Sequence, residues 1–263
     1  MGAFSVISSL RVKTPQEAFF DIEDSVRLGA DGFLLHVELL EERYRNIETI
    51  SKIIDSAEKP FMILDYLTDE ESEICASFLL DSVRAGAAAV DIPMHLYDNA
   101  SMKSLENRAE SFASALPSGV SMDQNAIERQ KQLIAKIHEE GGEVLISAHV
   151  GKMLSCVQAE DLAKEMRARG ADIAKIIVKA ESADDVAEIY KTCCVLKTKL
   201  GIPFLYQTCG VYGKLVRPTA WMFGSRYVLC HNRYSEISNR EKPLIEDVQR
   251  IKNELACGVS EHA

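Results

Sequence analysis

The chain has 263 residues, 47% hydrophobic and 27% charged, with a formal net charge of −10 at pH 7. This acidic balance argues against nucleic acid as a main partner, since phosphate binding needs a basic face, and no apolar run reaches the ~18 residues of a membrane span. The seven cysteines are odd in number and scattered, with no CxxC pair or histidine cluster, so neither a disulfide framework nor a zinc site is expected, and a cytoplasmic compartment is.

The opening Met1-Gly-Ala-Phe-Ser5 lacks the basic and long apolar regions of a signal peptide. Gly2 gives only a weak lipidation match, because Val6 stands where a Ser or Thr is wanted. Phe4–Arg11 reads as a first strand, and a helix starts at Thr14-Pro15, where threonine caps and proline suits the first turn. Gly32–Val37 is a second strand, followed by a helix over Leu39–Ala57. Pro60–Tyr66 is a third, then a helix over Glu70–Gly86, then Ala88–Pro93 as a fourth. The fifth and sixth strands, Val144–Val150 and Ala171–Ala180, flank a helix from about Gln158 to Arg169. A helix over Ala183–Leu200 leads to a seventh strand at Phe204–Thr208, Tyr227–Cys230 is the eighth, and a helix over Leu244–Leu255 follows.

Helices that regularly separate short apolar strands are the signature of βα units around a parallel sheet. Eight strands in this length predict a single-domain (β/α)8 TIM barrel spanning residues 1–263. A doubly wound open sheet is the runner-up, but no GxGxxG turn follows the first strand. The one irregular stretch is an extended connection over 95–142, between strands four and five. It reads as an extra helix over Met102–Ala115, a break at Leu116-Pro-Ser-Gly119 and a connecting helix over Gln124–Glu140. Leaving the C-terminal end of a strand, this insertion belongs on the face where barrels carry their sites, as a lid, an oligomer contact or a plain surface elaboration.

The sixth strand carries a lysine, Lys175, in the middle of an apolar, β-branched run. Burying an unpaired ammonium costs several kcal/mol or drives the group toward neutrality, by roughly 3–5 pKa units in extreme cases. A neutral lysine is a nucleophile, and its usual chemistry is Schiff-base formation with a ketone or aldehyde. Lys179 has the same parity; if both face the interior, each ammonium lowers the pKa of the other, whereas a lysine at a strand end also reads as one that snorkels to solvent. His149, near the end of the fifth strand, is the candidate acid/base, although a hydrogen-bonded core histidine leaves the same trace.

Three segments together resemble type I 3-dehydroquinate dehydratase, the Schiff-base dehydratase family of the shikimate pathway. They are Ile146-Ser-Ala-His149, Ala171-Asp-Ile-Ala-Lys175-Ile, and Gly213-Lys-Leu-Val-Arg217 followed by Phe223-Gly-Ser225. The resemblance implies Lys175 as the Schiff-base lysine, His149 as the catalytic histidine and Glu70 as its assistant. It also implies Arg217 as the clasp for a substrate carboxylate and Ser9 as a polar residue on the first strand. Read without the family, Glu70 is a solvated carboxylate at a helix N-terminus.

Departures fall on substrate recognition. The family's Glu-x-Arg-x-Asp appears here as Leu34-Leu-His36-Val-Glu38, its third-strand arginine is replaced within Leu64-Asp-Tyr66, and Gln207 and Lys179 replace apolar residues. His36, Tyr66 and Gln207 therefore stand with Arg217 and Ser9 as substrate-binding candidates. The final loop, over His231–Asn239, shows no clear counterpart of the family's Ser and Gln contacts. Losing several buried hydrogen bonds of about 1–3 kcal/mol each puts the substrate in question more than the mechanism.

The expected activity is elimination of water from 3-dehydroquinate or a related β-hydroxy ketone through a lysine iminium. A diverged Schiff-base lyase or aldolase on another keto substrate is the alternative, and a non-catalytic binding barrel a third reading. The partner is a small keto compound carrying a carboxylate, with a homodimer left open. No metal or organic cofactor is expected: an iminium is its own electron sink, and Asp65, Asp91 and Glu38 do not read as a metal cluster.

Overall fold

The computed structural model describes residues 5–66, 72–98 and 119–257. Eight parallel strands, each followed by helical structure, run in the order β7-β6-β5-β4-β3-β2-β1-β8. They are β1 Ser5–Leu10, β2 Gly32–His36, β3 Phe61–Leu64, β4 Ala89–Pro93, β5 Glu143–His149, β6 Ile173–Lys179, β7 Phe204–Cys209 and β8 Tyr227–Cys230. All eight predicted strands are present, with ends moved by at most two residues. The ring nearly closes between its outer strands, where Arg226 N donates to Phe204 O at 2.8 Å. This is the (β/α)8 barrel that the alternation of elements predicts.

The helices are α1 Pro15–Arg27, α2 Ile47–Ile54, α3 Ser72–Arg84, α4 Gln124–Glu139, α5 Cys156–Ala168, α6 Ala183–Lys199, the single turn α7 Gly213–Val216, and α8 Ile245–Cys257. Their starts follow capping chemistry: Thr14 Oγ1 accepts from Glu17 N, Asp123 Oδ1 from Ala126 N, and Ser155 forms a reciprocal capping box with Gln158. The continuous helix expected over Leu39–Ala57 is a correction. Only Ile47–Ile54 is α-helical, preceded by 3-10 turns at Val37–Leu39 and Glu42–Tyr44. Asn46 caps the helix by accepting from Thr49 N, and Arg45 donates to the carbonyls of Leu40 and Glu38, which holds the preceding chain in a loop. The helix predicted over Met102–Ala115 lies outside the described residues.

Strand pleating sorts side chains into two layers. Phe33, Leu35, Phe61, Ile63, Val90, Ile92, Ile146, Ile176 and Val178 face outward into the main core beneath the helices. Ile7, Leu34, Leu64, Leu205 and Leu229 form a separate cluster drawn from opposite sides of the ring, so it fills the barrel interior. Above this apolar plug the same strand faces turn polar: Ser9, His36, Asp91, Ser147, Lys175 and Gln207 are all buried. The plug excludes water from below and leaves these groups facing one mouth, at the C-terminal ends of the strands.

Candidate active site

A cavity of about 550 Å³ opens at that mouth, and Tyr66, His149, Lys175, Arg217, His36 and Lys242 are among its lining residues. Lys175 sits at its base, only 4% exposed. Its Nζ donates to Asp91 Oδ2 at 2.8 Å and to the Tyr66 hydroxyl at 3.3 Å. Asp91 Oδ1 accepts from Ser147 Oγ at 2.5 Å. The Tyr66 hydroxyl also lies 3.1 Å from His149 Nε2 and 3.3 Å from Ser147 Oγ. One connected network therefore runs from the amine through the phenol to the imidazole.

The charge state of Lys175 corrects the expectation of a resting neutral amine. Burial acts to lower its pKa, but the Asp91 carboxylate, with Tyr66, outweighs burial and raises it above the usual lysine value. The resting group is an ammonium held as a buried ion pair. Lys179 does not take part: it lies half-exposed at the rim, paired with Glu181 at 2.8 Å, a contact that raises its pKa. The two ammonium groups thus do not depress one another, and of this strand's lysines only Lys175 is buried in the interior.

His149 is partly buried at the cavity wall, and burial, followed by the positive charges of Lys175 and Arg217, holds its pKa well below the ordinary histidine value. The ring is neutral, with Nε2 at the Tyr66 hydroxyl; among the described residues Nδ1 has no hydrogen-bond partner. Tyr66 keeps its proton, its pKa pushed up to about 12 by burial and the nearby Asp91 carboxylate. Gly119 brings the chain back across this strand end. With φ of +50° and an ideal Cβ that would fall 2.6 Å from His149 N, the position admits only glycine without distortion. Glu70, expected beside His149, lies outside the described residues; the group on the ring in the structure is Tyr66.

On the other wall, Arg217 is buried, its terminal nitrogens donating to Gln207 Oε1 at 3.2 Å and Glu241 Oε2 at 3.3 Å, while among the described residues its buried Nε has no hydrogen-bond partner. Ser9 Oγ meets His36 Nε2 at 3.0 Å and accepts from Lys242 Nζ at 2.6 Å. His36 Nδ1 lies 3.0 Å from Glu38 Oε1. Every candidate within the described residues therefore lines this cavity or bonds directly to a residue that does. The sequence reading passed over Ser147, Glu241 and Lys242 and treated Asp91 and Glu38 only as stray carboxylates. Asp91 carried the same signal as Lys175, a charge inside the apolar run Ala88-Ala-Val-Asp-Ile-Pro93. Among the described residues no group of three or more His, Cys, Asp or Glu side chains converges as a metal site requires.

Glu38 offers a pH handle. Burial, only partly offset by a backbone hydrogen bond and by Arg11, pushes its pKa up from 4.5 to about 7. Between those values the fold holds a proton that the unfolded chain has released, so the residue's contribution to stability falls as pH rises through the window. Glu38→Gln removes that loss. Relative to wild type, the variant is expected to gain on the order of 2 kcal/mol as pH rises from about 5 to 8. Denaturant titrations at both pH values check this, and a pH-independent difference between the two proteins contradicts it.

Comparison with known proteins agrees with this geometry. A curated relative, 3-dehydroquinate dehydratase of Aromatoleum aromaticum, is 30% identical over 100 residues, which cover 38% of this chain and 35% of that one. The chain thus spans about a third of the length of that relative. The solved 3-dehydroquinate dehydratase of Geobacillus kaustophilus superposes with a TM-score of 0.76 at 15% identity, covering 97% of this chain and 92% of that one. The type I enzyme of Clostridium difficile, described with covalently modified comenic acid, gives 0.77 at 13% identity, covering 98% and 95%. At these identities the solved structures speak for the fold alone. The family model for type I 3-dehydroquinase matches residues 6–236, nearly the whole barrel, and the chain belongs to that family.

Proposed function

We propose that this chain is a Schiff-base dehydratase that eliminates water from 3-dehydroquinate or a related carboxylated β-hydroxy ketone, with Lys175 forming the iminium. The observation that carries the reading is the network Asp91–Lys175–Tyr66–His149 at the base of one cavity. Lys175 must first lose a proton, and Asp91 Oδ2, 2.8 Å away, is the nearest acceptor. When substrate displaces water, an ion pair loses its advantage over the neutral amine and carboxylic acid, which favours that transfer. The amine then adds to the ketone carbon, and loss of water from the carbinolamine gives the iminium.

The iminium acidifies the adjacent C–H. His149, neutral and partly buried, takes that proton to give an enamine, then returns it to the β-hydroxyl as it leaves as water. Hydrolysis of the conjugated iminium releases the enone and regenerates the amine. Tyr66 orients the ring, and Glu70 retains the assisting role that the family resemblance assigns it. Arg217, which lines the cavity, clasps the substrate carboxylate, with Gln207 and Glu241 holding the guanidinium in place. Ser9 and His36 complete the recognition wall.

Residues 1–263 are read as one barrel domain with 95–142 as its long connection, in a cytoplasmic setting. A second reading, the same iminium chemistry on another keto substrate, is favoured by a specific observation. The mouth carries a His36–Ser9–Lys242 cluster where the family resemblance implies Glu, Arg and Gln contacts. Turnover of 3-dehydroquinate, followed by the ultraviolet absorbance of the conjugated enone, separates the two. Steady turnover establishes the first reading, whereas no absorbance change with an intact trapped imine on another keto acid establishes the second.

A further inference from the structure

Among the described residues, Lys242 is the one lysine lining the cavity without an ion-pair partner. It is 6% exposed, and its Nζ donates to the Ser9 hydroxyl; among the described residues no Asp or Glu lies within ion-pair distance of it. Lys175 has Asp91, Lys179 has Glu181, and Arg217 has Glu241. A buried ammonium without a counter-ion is costly, and a side chain as flexible as lysine would normally swing out to water.

The fold prevents that. The Tyr234 hydroxyl donates to Lys242 O, Lys242 N donates to Asn239 O, and His231 N donates to Pro243 O, so the backbone on both sides is pinned. Arg11 Nε donates to Ile237 O from the facing strand end, tying the same loop to the cavity wall. Lys242, Arg11, Arg217 and Glu38 all line this one cavity. The positive charges of Arg11, Arg217 and Lys175, after burial itself, weigh against a charged Lys242, and Glu38 alone favours it. Among the described residues Lys242 is thus a buried cation of this mouth without an ion-pair partner, in a chain that is acidic overall.

We propose that Lys242 forms a second anion subsite beside the Arg217 clasp, so that the preferred substrate of this barrel carries two anionic groups. The proposal rests on the cavity being the substrate site and names the class of keto acid that site selects: a dianion, with one group on Arg217 and the other on Lys242. A monoanionic keto acid leaves the second subsite unneutralised.

Calorimetric titration at low salt with cyclohexanecarboxylate and with cis-cyclohexane-1,3-dicarboxylate, neither of which can form an imine, tests this directly. Wild type is expected to bind the diacid about tenfold or more tightly than the monoacid, the worth of one charge-assisted hydrogen bond. Lys242→Met should abolish that preference and Lys242→Arg retain it. Without ligand, Lys242→Met should also melt about 2 °C or more above wild type, because it replaces a buried amine that no described carboxylate pairs with. Equal affinities for the two acids in wild type, a preference untouched in Lys242→Met, or a lowered melting point each overturn the proposal. Borohydride trapping with a plain ketone reads the Schiff-base chemistry separately. No adduct beside an intact diacid preference sinks the proposed activity and leaves the subsite standing, while an adduct without the preference does the reverse.

Discussion

Lys175→Met is expected to abolish turnover and borohydride trapping together, by on the order of 10⁴-fold or more in rate, as loss of a covalent nucleophile does. The same change leaves Asp91 buried without its cation, and breaking a buried pair from one side costs roughly 3–5 kcal/mol. Stability and chemistry are separable, however. In Lys175→Met/Asp91→Asn the Ser147 hydroxyl retains a neutral acceptor, so the double variant should recover most of the lost stability and none of the trapping. The pairing raises the folded pKa of Lys175 above its unfolded value. Its stabilising contribution is thus complete below the unfolded lysine pKa and lost only as pH rises through the folded value. The stability gap between wild type and Lys175→Met should accordingly be flat from about pH 5 to 9 as far as this amine is concerned. Trapping that survives in the single variant moves the nucleophile to another lysine.

His149→Gln should separate imine formation from elimination. The amine in that variant still attacks, so trapping persists, but proton removal from the adjacent carbon loses its base and turnover drops by about 10²–10⁴-fold. The pH profile gives an independent reading. Burial and the surrounding cations hold the His149 pKa below the ordinary value, so the ring remains in its basic form across neutral pH. The acid limb of turnover that belongs to His149 should therefore lie below pH 6.5, and the variant should lack it. A variant that loses trapping as fully as turnover shows that His149 acts before the imine forms, which contradicts its assignment as the base for elimination.

The sequence revealed most where a charge interrupts an apolar strand. Lys175 stands out in Ile173-Ala-Lys-Ile-Ile-Val178 because such a position has no solvent to offer it, and the same logic applied to Asp91 would have exposed the pair and corrected the expectation of a neutral amine. The strands were legible because burial on both faces, by the apolar plug inside and the helices outside, leaves short, nearly continuous apolar runs. Lys242 was not legible. In Asn239-Arg-Glu-Lys-Pro243 nothing distinguishes a buried lysine from a solvated one, since its burial comes from Ser9, His231 and Tyr234, which are distant in sequence or on the loop. The second helix failed for a local reason: the apolar spacing of Leu39–Ala57 continues through a loop that Arg45 and Asn46 hold open by side-chain hydrogen bonds. Glu70 rests on resemblance alone.

The account stands on Lys175 as the carrier of the imine, and peptide mapping after borohydride reduction in the presence of 3-dehydroquinate measures that most directly. The mouth of the cavity offers three lysines, Lys175, Lys179 and Lys242, which fall on separable peptides. One equivalent of reduced adduct on Lys175, with the other two unmodified, is the predicted result. An adduct on Lys179 or Lys242, with Lys175 recovered intact, contradicts the account.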